Sequence, residues 1–91
     1  EFFFLRKGLS LDRLACLLEI ENAGGIAGAA DGDSNRQSLM SRQISGLENA
    51  LGATLLERSS KPHNLTDVGR EIARNVRAFA KDLDASLESE G

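Results

Sequence analysis

The sequence predicts a mainly α-helical fold: three helices, a two-stranded wing and one long terminal helix. Three observations predict it. Apolar residues recur at steps of three and four through residues 11–18, 40–51 and 72–83, the signature of helices with one buried face. Small and turn-forming residues interrupt those runs at Gly24-Gly25, at Gly32-Asp33-Ser34-Asn35 and at Gly52. Two short stretches, 53–58 and 63–65, flank the turn material Ser59-Ser60-Lys61-Pro62 and read as paired strands, although Ala53-Thr54-Leu55-Leu56 alone is compatible with a helix.

The opening Glu1-Phe2-Phe3-Phe4-Leu5-Arg6-Lys7 carries its positive charge after a short apolar run and has no cleavage pattern, so it is no signal peptide. Residues 1–9 are expected to be an N-terminal extension, either a tag or an extra apolar contact. Ser10 is placed to cap a first helix, with Asp12 favourable in its first turn. Leu11, Leu14, Leu17, Leu18 and Glu21 follow at helical spacing until Gly24-Gly25 stops the run. Ile26 to Asp31 is a second, short helix, in which Ala29 and Ala30 let another helix come close. Gly28 and Gly32 each lower its propensity by roughly 1 kcal/mol relative to Ala, so packing must hold it.

Ser34 and Gln37 match the S-x-x-Q capping box and start a third helix that ends near Leu51-Gly52. Thr66 caps a last helix running to about Ser89. Along it, Ile72, Val76, Phe79 and Leu83 form an a/d seam of about two heptads, continuing weakly to Ser86 or Leu87. The seam outruns the compact part of the chain, which favours a partner copy over folding back on its own domain. The expected division is residues 10–65 as a compact unit and residues 66–91 as a linker or dimerisation helix.

The third helix has two incompatible faces. Met40, Ile44, Leu47 and Leu51 stack in one apolar stripe, and Ser38, Ser41, Arg42, Ser45 and Asn49 lie roughly opposite. Ordinary water-facing helices mix Glu and Lys for i,i+4 pairing. This face has hydroxyls, amides and an Arg but no carboxylate, which suits a polyanion; its bland alternative is a row of solvated serines.

The 91-residue chain has a net charge of −3, which argues against nucleic acid until its distribution is considered. Residues 1–33 carry three Lys/Arg against six Asp/Glu, and residues 71–91 carry three against five. Residues 34–70 reverse the balance, with five against three. The chain is 41% apolar and 27% charged, the composition of a globular domain. No apolar run approaches ~20 residues, which excludes a helical membrane span. A single cysteine, Cys16, excludes an intrachain disulfide and a cysteine metal cluster; in its leucine-rich setting it is expected to act as a small apolar residue. One His, one Cys and no phosphate-cradling loop leave an enzyme little to stand on. Asp31-Gly32-Asp33-Ser34-Asn35 opens like an EF-hand, but Arg36 and Arg42 occupy its glycine and glutamate positions, which excludes calcium. No metal and no cofactor is expected.

Five segments together carry a family resemblance: Gly24-Gly25-Ile26-Ala27-Gly28-Ala29-Ala30, Gln37-Ser38-Leu39-Met40-Ser41-Arg42-Gln43-Ile44, Leu47-Glu48-Asn49-Ala50-Leu51-Gly52, Leu55-Leu56-Glu57-Arg58 and Leu65-Thr66-Asp67-Val68-Gly69-Arg70. In this order and spacing the chain resembles the N-terminal domain of the LysR-type transcriptional regulators, without gaps from about Leu11 to Glu71. The resemblance implies a winged helix-turn-helix followed by a long dimerisation helix, antiparallel pairing of two such helices, and double-stranded DNA as partner; a cytoplasmic location is the default expectation for a sequence with neither a signal peptide nor a membrane span. It also implies a co-inducer domain that is absent from this chain. Three departures stand out: Asp33 and Asn35 replace apolar residues, Arg36 replaces a small capping residue, and His63 and Asn64 replace wing positions that are often basic.

Candidate roles follow from chemistry and resemblance together. Gln37 can pair bidentately with adenine in the major groove, its competing role being the capping box. Ser38, Ser41 and Ser45 suit a base edge or a phosphate. Arg42 is a phosphate contact by the family pattern, or else a surface ion pair with Glu48 or Asp31. Arg36 sits at the positive end of the helix dipole, which calls for an anion nearby. Arg58, Lys61 and His63 are placed to touch the backbone beside the groove. Ile72, Val76, Phe79, Leu83 and Leu87 are the expected dimer interface. The rival class is a dimerisation or protein-interaction module on a winged-helix scaffold that no longer binds DNA.

Overall fold

The computed structural model describes residues 2–59 and 63–90. A 3-10 turn at Phe3–Leu5 precedes α1 (Leu11–Ala23), α2 (Ile26–Ala29), α3 (Ser34–Leu51), β1 (Leu56–Glu57), β2 (Asn64–Leu65) and α4 (Asp67–Glu90). This is the expected winged helix-turn-helix with its long terminal helix. Among the described residues, no helix is long and apolar enough to cross a membrane.

α1 begins where Ser10 Oγ accepts the Arg13 amide at 3.1 Å and ends where the Gly24 and Gly25 amides return to the Ile20 carbonyl. Its buried residues are Leu14, Cys16, Leu17 and Ile20. The expected stripe is therefore rotated: Leu11 is 75% exposed, and Ile20 and Cys16 take core positions. The core collects these residues with Ile26 and Ala30, with Met40, Ile44 and Leu47 of α3, with Leu55, Leu56 and Leu65 around the wing, and with Ala73 of α4. α1 lies at its centre, packed on α2, α3 and α4. Ala30 is fully buried, the close approach its small side chain permits.

The start of α3 corrects the expected capping box. Asp33, not Ser34, is the N-cap: its Oδ1 accepts the Asn35 amide at 2.9 Å and the Arg36 amide at 3.3 Å. A carboxylate gains more than a hydroxyl at the positive end of a helix, since it is charged as well as a strong acceptor. Ser34 becomes the first helical residue. The Gln37 amide is then not needed for capping.

α3 stops at Gly52, whose φ of 69° is a left-handed conformation that a side chain would disfavour. The chain then enters an antiparallel wing with Leu56 opposite Leu65 and Glu57 opposite Asn64. The strands are shorter than expected, and Ala53-Thr54-Leu55 is a bend followed by coil rather than helix. Thr66 caps α4 as expected, accepting the Gly69 amide at 3.0 Å, while its hydroxyl donates to the Thr54 carbonyl at 2.7 Å. The cap and the wing are thereby one unit.

The apolar stripe of α4 runs through two different surroundings. Ile72 and Val76 pack against the chain's own core, because this half of the helix lies on α1 and is tied to it by an Arg77–Glu21 ion pair. Phe79, Leu83 and Leu87, farther along, remain exposed. Twenty-four residues of helix account for the elongated 45 × 31 × 23 Å shape.

Candidate nucleic-acid interface

α3 is held by burying Met40, Ile44 and Leu47, and that fixes which residues face outward. Ser38, Arg42, Ser45 and Asn49 are exposed, while Gln37 and Ser41 are half-buried at the edge of the same face. None is packed beneath another part of the subunit. Ile26, Ser34, Gln37, Ser38, Ser41, Arg42 and His63 line an open cleft of about 410 Å³ between α2, the start of α3 and the wing. The His63 carbonyl accepts the Ile26 amide at 3.1 Å, which fixes the base of the wing against the start of α2.

Arg42 makes no ion pair among the described residues, so neither Asp31 nor Glu48 neutralises it. Arg36 does find an anion. Its Nη2 lies 3.3 Å from Glu19 Oε2 on α1, with both side chains about half exposed. Such a pair contributes ~0–1 kcal/mol. Lys61 lies outside the described residues.

Arg58 has a different surrounding from the one the sequence suggests. Its Nη1 donates to Glu48 Oε1 and Oε2 at 3.1 and 3.2 Å, and its Nη2 to the Ser41 carbonyl at 3.3 Å and Ser45 Oγ at 3.1 Å. Glu48 also accepts the Leu55 and Leu56 amides at 2.8 and 3.1 Å. Arg58 thus locks the wing to α3 and orients the Ser45 hydroxyl. Glu48 carries the only carboxylate of α3, and this network turns it away from the outward face toward the wing backbone. Nothing in the spacing of Glu48 and Arg58 announces the pairing, since it takes the reversal at Gly52 and the course of β1 to bring them together.

Two titratable groups depart from their ordinary values. Burial pushes the Cys16 thiol up to about 11, helped by nearby Glu19, while its Sγ donates to the Met40 carbonyl at 3.8 Å. The Ser59 hydroxyl and amide hold the Glu57 carboxyl below its usual range. No group of three or more His, Cys, Asp or Glu side chains suited to a metal ion occurs among the described residues.

Known proteins resemble the chain both in sequence and in shape. A family model described as "Bacterial regulatory helix-turn-helix protein, lysR family" matches residues 11–70. The "Probable hydrogen peroxide-inducible genes activator" of Mycobacterium xenopi is 35% identical over 75 residues, covering 82% of this chain and 38% of its own length. The transcriptional dual regulator GltC of Bacillus subtilis (strain 168) is 34% identical over 80 residues, covering 88% and 27%. The chain thus spans well under half the length of these curated relatives. Among solved structures, the BenM DNA-binding domain in complex with benA site 1 DNA superposes with a TM-score of 0.73 at 28% identity, covering 90% of this chain and 92% of that one. Vibrio fischeri DarR in complex with DNA gives 0.67 at 27% identity, covering 89% and 28%. With the family model spanning the helix-turn-helix and the wing, the chain belongs to the lysR family of bacterial regulatory helix-turn-helix proteins.

Proposed function

We propose that this chain is a sequence-specific DNA-binding domain acting in transcription regulation, with α3 in the major groove and the wing on the adjacent backbone. The observation that carries the reading is the outward face of α3. It offers hydroxyls, an amide and an unneutralised Arg42, and its one carboxylate is turned away to the wing. Gln37, freed from capping by Asp33, reads a base edge; Ser38 and Ser41 contact base or phosphate; Arg42 engages a phosphate. Arg36 joins them by exchanging Glu19 for a phosphate. Arg58 positions the wing and Ser45, and His63 borders the cleft.

The same reading makes the chain a homodimer through the exposed part of α4, so that two α3 helices reach two halves of a near-palindromic site. Charge polarity supports an antiparallel pairing. Residues 67–81 of α4 carry basic residues at 70, 74, 77 and 81 against acidic ones at 67 and 71, whereas residues 82–90 carry only acidic ones, at 82, 84, 88 and 90. Acidic residues at a helix C-terminus oppose its dipole, whereas an antiparallel second copy sets them over the basic half. Arg74 and Lys81 have no ion pair of their own among the described residues.

The net charge of −3 and the internal engagement of Arg36 and Arg58 favour the rival, a protein-interaction module without DNA. A gel-shift titration with genomic DNA fragments separates the two. Selective, saturable shifts are expected; no shift on any fragment supports the rival.

A further inference from the structure

Residues 2–9 are anchored rather than trailing. Arg13 Nη1 donates to the Gly8 carbonyl at 2.6 Å and its Nε to Gln43 Oε1 at 3.0 Å, and Leu9 packs against the core. The 3-10 turn that follows from this anchor clusters three aromatic rings. Phe2 and Phe3 meet Phe4 edge-on at 5.6 and 5.4 Å, and Phe4 stacks on Phe79 of α4 at 5.7 Å. Yet the stack leaves about half of each ring open: Phe4 is 47% and Phe79 44% exposed. Phe4 stands as a ridge between two apolar grooves, of about 450 Å³ beside Leu11, Phe79 and Leu83 and of about 270 Å³ beside Phe3 and Val76. Contiguous exposed apolar surface of this kind marks an interaction site.

We propose that Phe3 and Phe4, seated on Phe79, form with Leu11 and Leu83 a single apolar face on which a second copy of this chain docks. The proposal rests on the α4 dimer reading and adds the N-terminal segment to it. A second copy is the occupant because the face runs on without a break into the exposed part of α4, whose charge polarity complements itself only in an antiparallel pair. A strap that competed with the partner would bury Phe79; this one widens the surface around it. The ridge and its flanking grooves also suit self-pairing, in which each copy offers the same patch to the other.

Sedimentation equilibrium of the 91-residue chain tests this with Phe3→Ser/Phe4→Ser, beside Leu83→Asp. The dimer dissociation constant of the phenylalanine variant is expected to rise about tenfold or more, since each ring removes a large apolar contact. A smaller rise, no change or a tighter dimer overturns the proposal. Leu83→Asp is expected to be monomeric; dimers that persist there contradict the α4 reading itself, whatever the phenylalanine variant does. Should circular dichroism show the double variant unfolded, photo-crosslinking from Phe3→p-benzoylphenylalanine decides: a covalent dimer supports the proposal and monomer alone overturns it.

Discussion

Glu48 of α3 and Arg58, directly after β1, meet at 3.1 Å and between them tie two wing amides, a helix carbonyl and the Ser45 hydroxyl into one network. The angle between wing and recognition helix depends on this half-buried pair. Glu48→Ala and Arg58→Ala are each expected to lower unfolding free energy by about 2 kcal/mol, the range for hydrogen bonds to charged groups. Because both residues act in one network, the double variant should lose little more than either single one. Urea titration checks it; fully additive losses would show two independent contacts.

Two glycines distinguish a hard contact from a soft one. A Cβ at Gly69, in the first turn of α4, meets the backbone carbonyl of Leu55, which cannot move without displacing the wing. At Gly46 the obstacle is the Arg13 guanidinium, 2.5 Å away at the end of a flexible side chain. Gly69→Ala should therefore cost about 1–3 kcal/mol by overpacking. Gly46→Ala should cost clearly less, since the helix propensity of Ala offsets the shift of Arg13. Thermal melts of both variants give the comparison, and equal losses would contradict it.

Cys16 gives a pH signature. Its thiol remains protonated in the folded chain up to about 11, against an ordinary value of 9.0. Between those values the unfolded chain releases a proton that the folded one keeps, so stability is full below about 9 and falls toward 11. The decline should be smaller in Cys16→Ala, and the native thiol should resist alkylation at pH 8 until the chain is unfolded. Rapid labelling of folded protein would place the thiol on the surface.

Gln37→Ala separates base reading from general affinity. Preference at one base pair of the site should relax by about 1–3 kcal/mol, with other positions unchanged. Competition binding with single-substituted duplexes measures it. A uniform loss at every position would make Gln37 a scaffold residue.

Much of this was legible in the chain because local rules and the global fold agree. Ser10, Gly24, Gly52 and Thr66 end or start helices where their chemistry says they should. The outward face of α3 followed from the spacing of Met40, Ile44 and Leu47. Competition between neighbours was harder to read: Asp33 displaced Ser34 as the cap because a carboxylate is the stronger acceptor at a helix start. Long-range pairing left no local trace. The Glu48–Arg58 lock, the Arg36–Glu19 pair and the stacking of Phe4 on Phe79 each join residues whose meeting depends on the assembled fold. The spacing along α4 does not tell where its stripe leaves the chain's own core, because one run of apolar residues serves both that core and the exposed extension.

The central claim, that the exposed side of α3 engages phosphates, is tested most directly by fluorescence anisotropy with a labelled duplex across a salt series. Binding should weaken steeply as salt rises through counterion release, and Arg42→Ala should weaken it on all sequences while reducing the log–log slope by about 1. Affinity indifferent to salt, or an Arg42→Ala chain with the same slope as the parent, would contradict it.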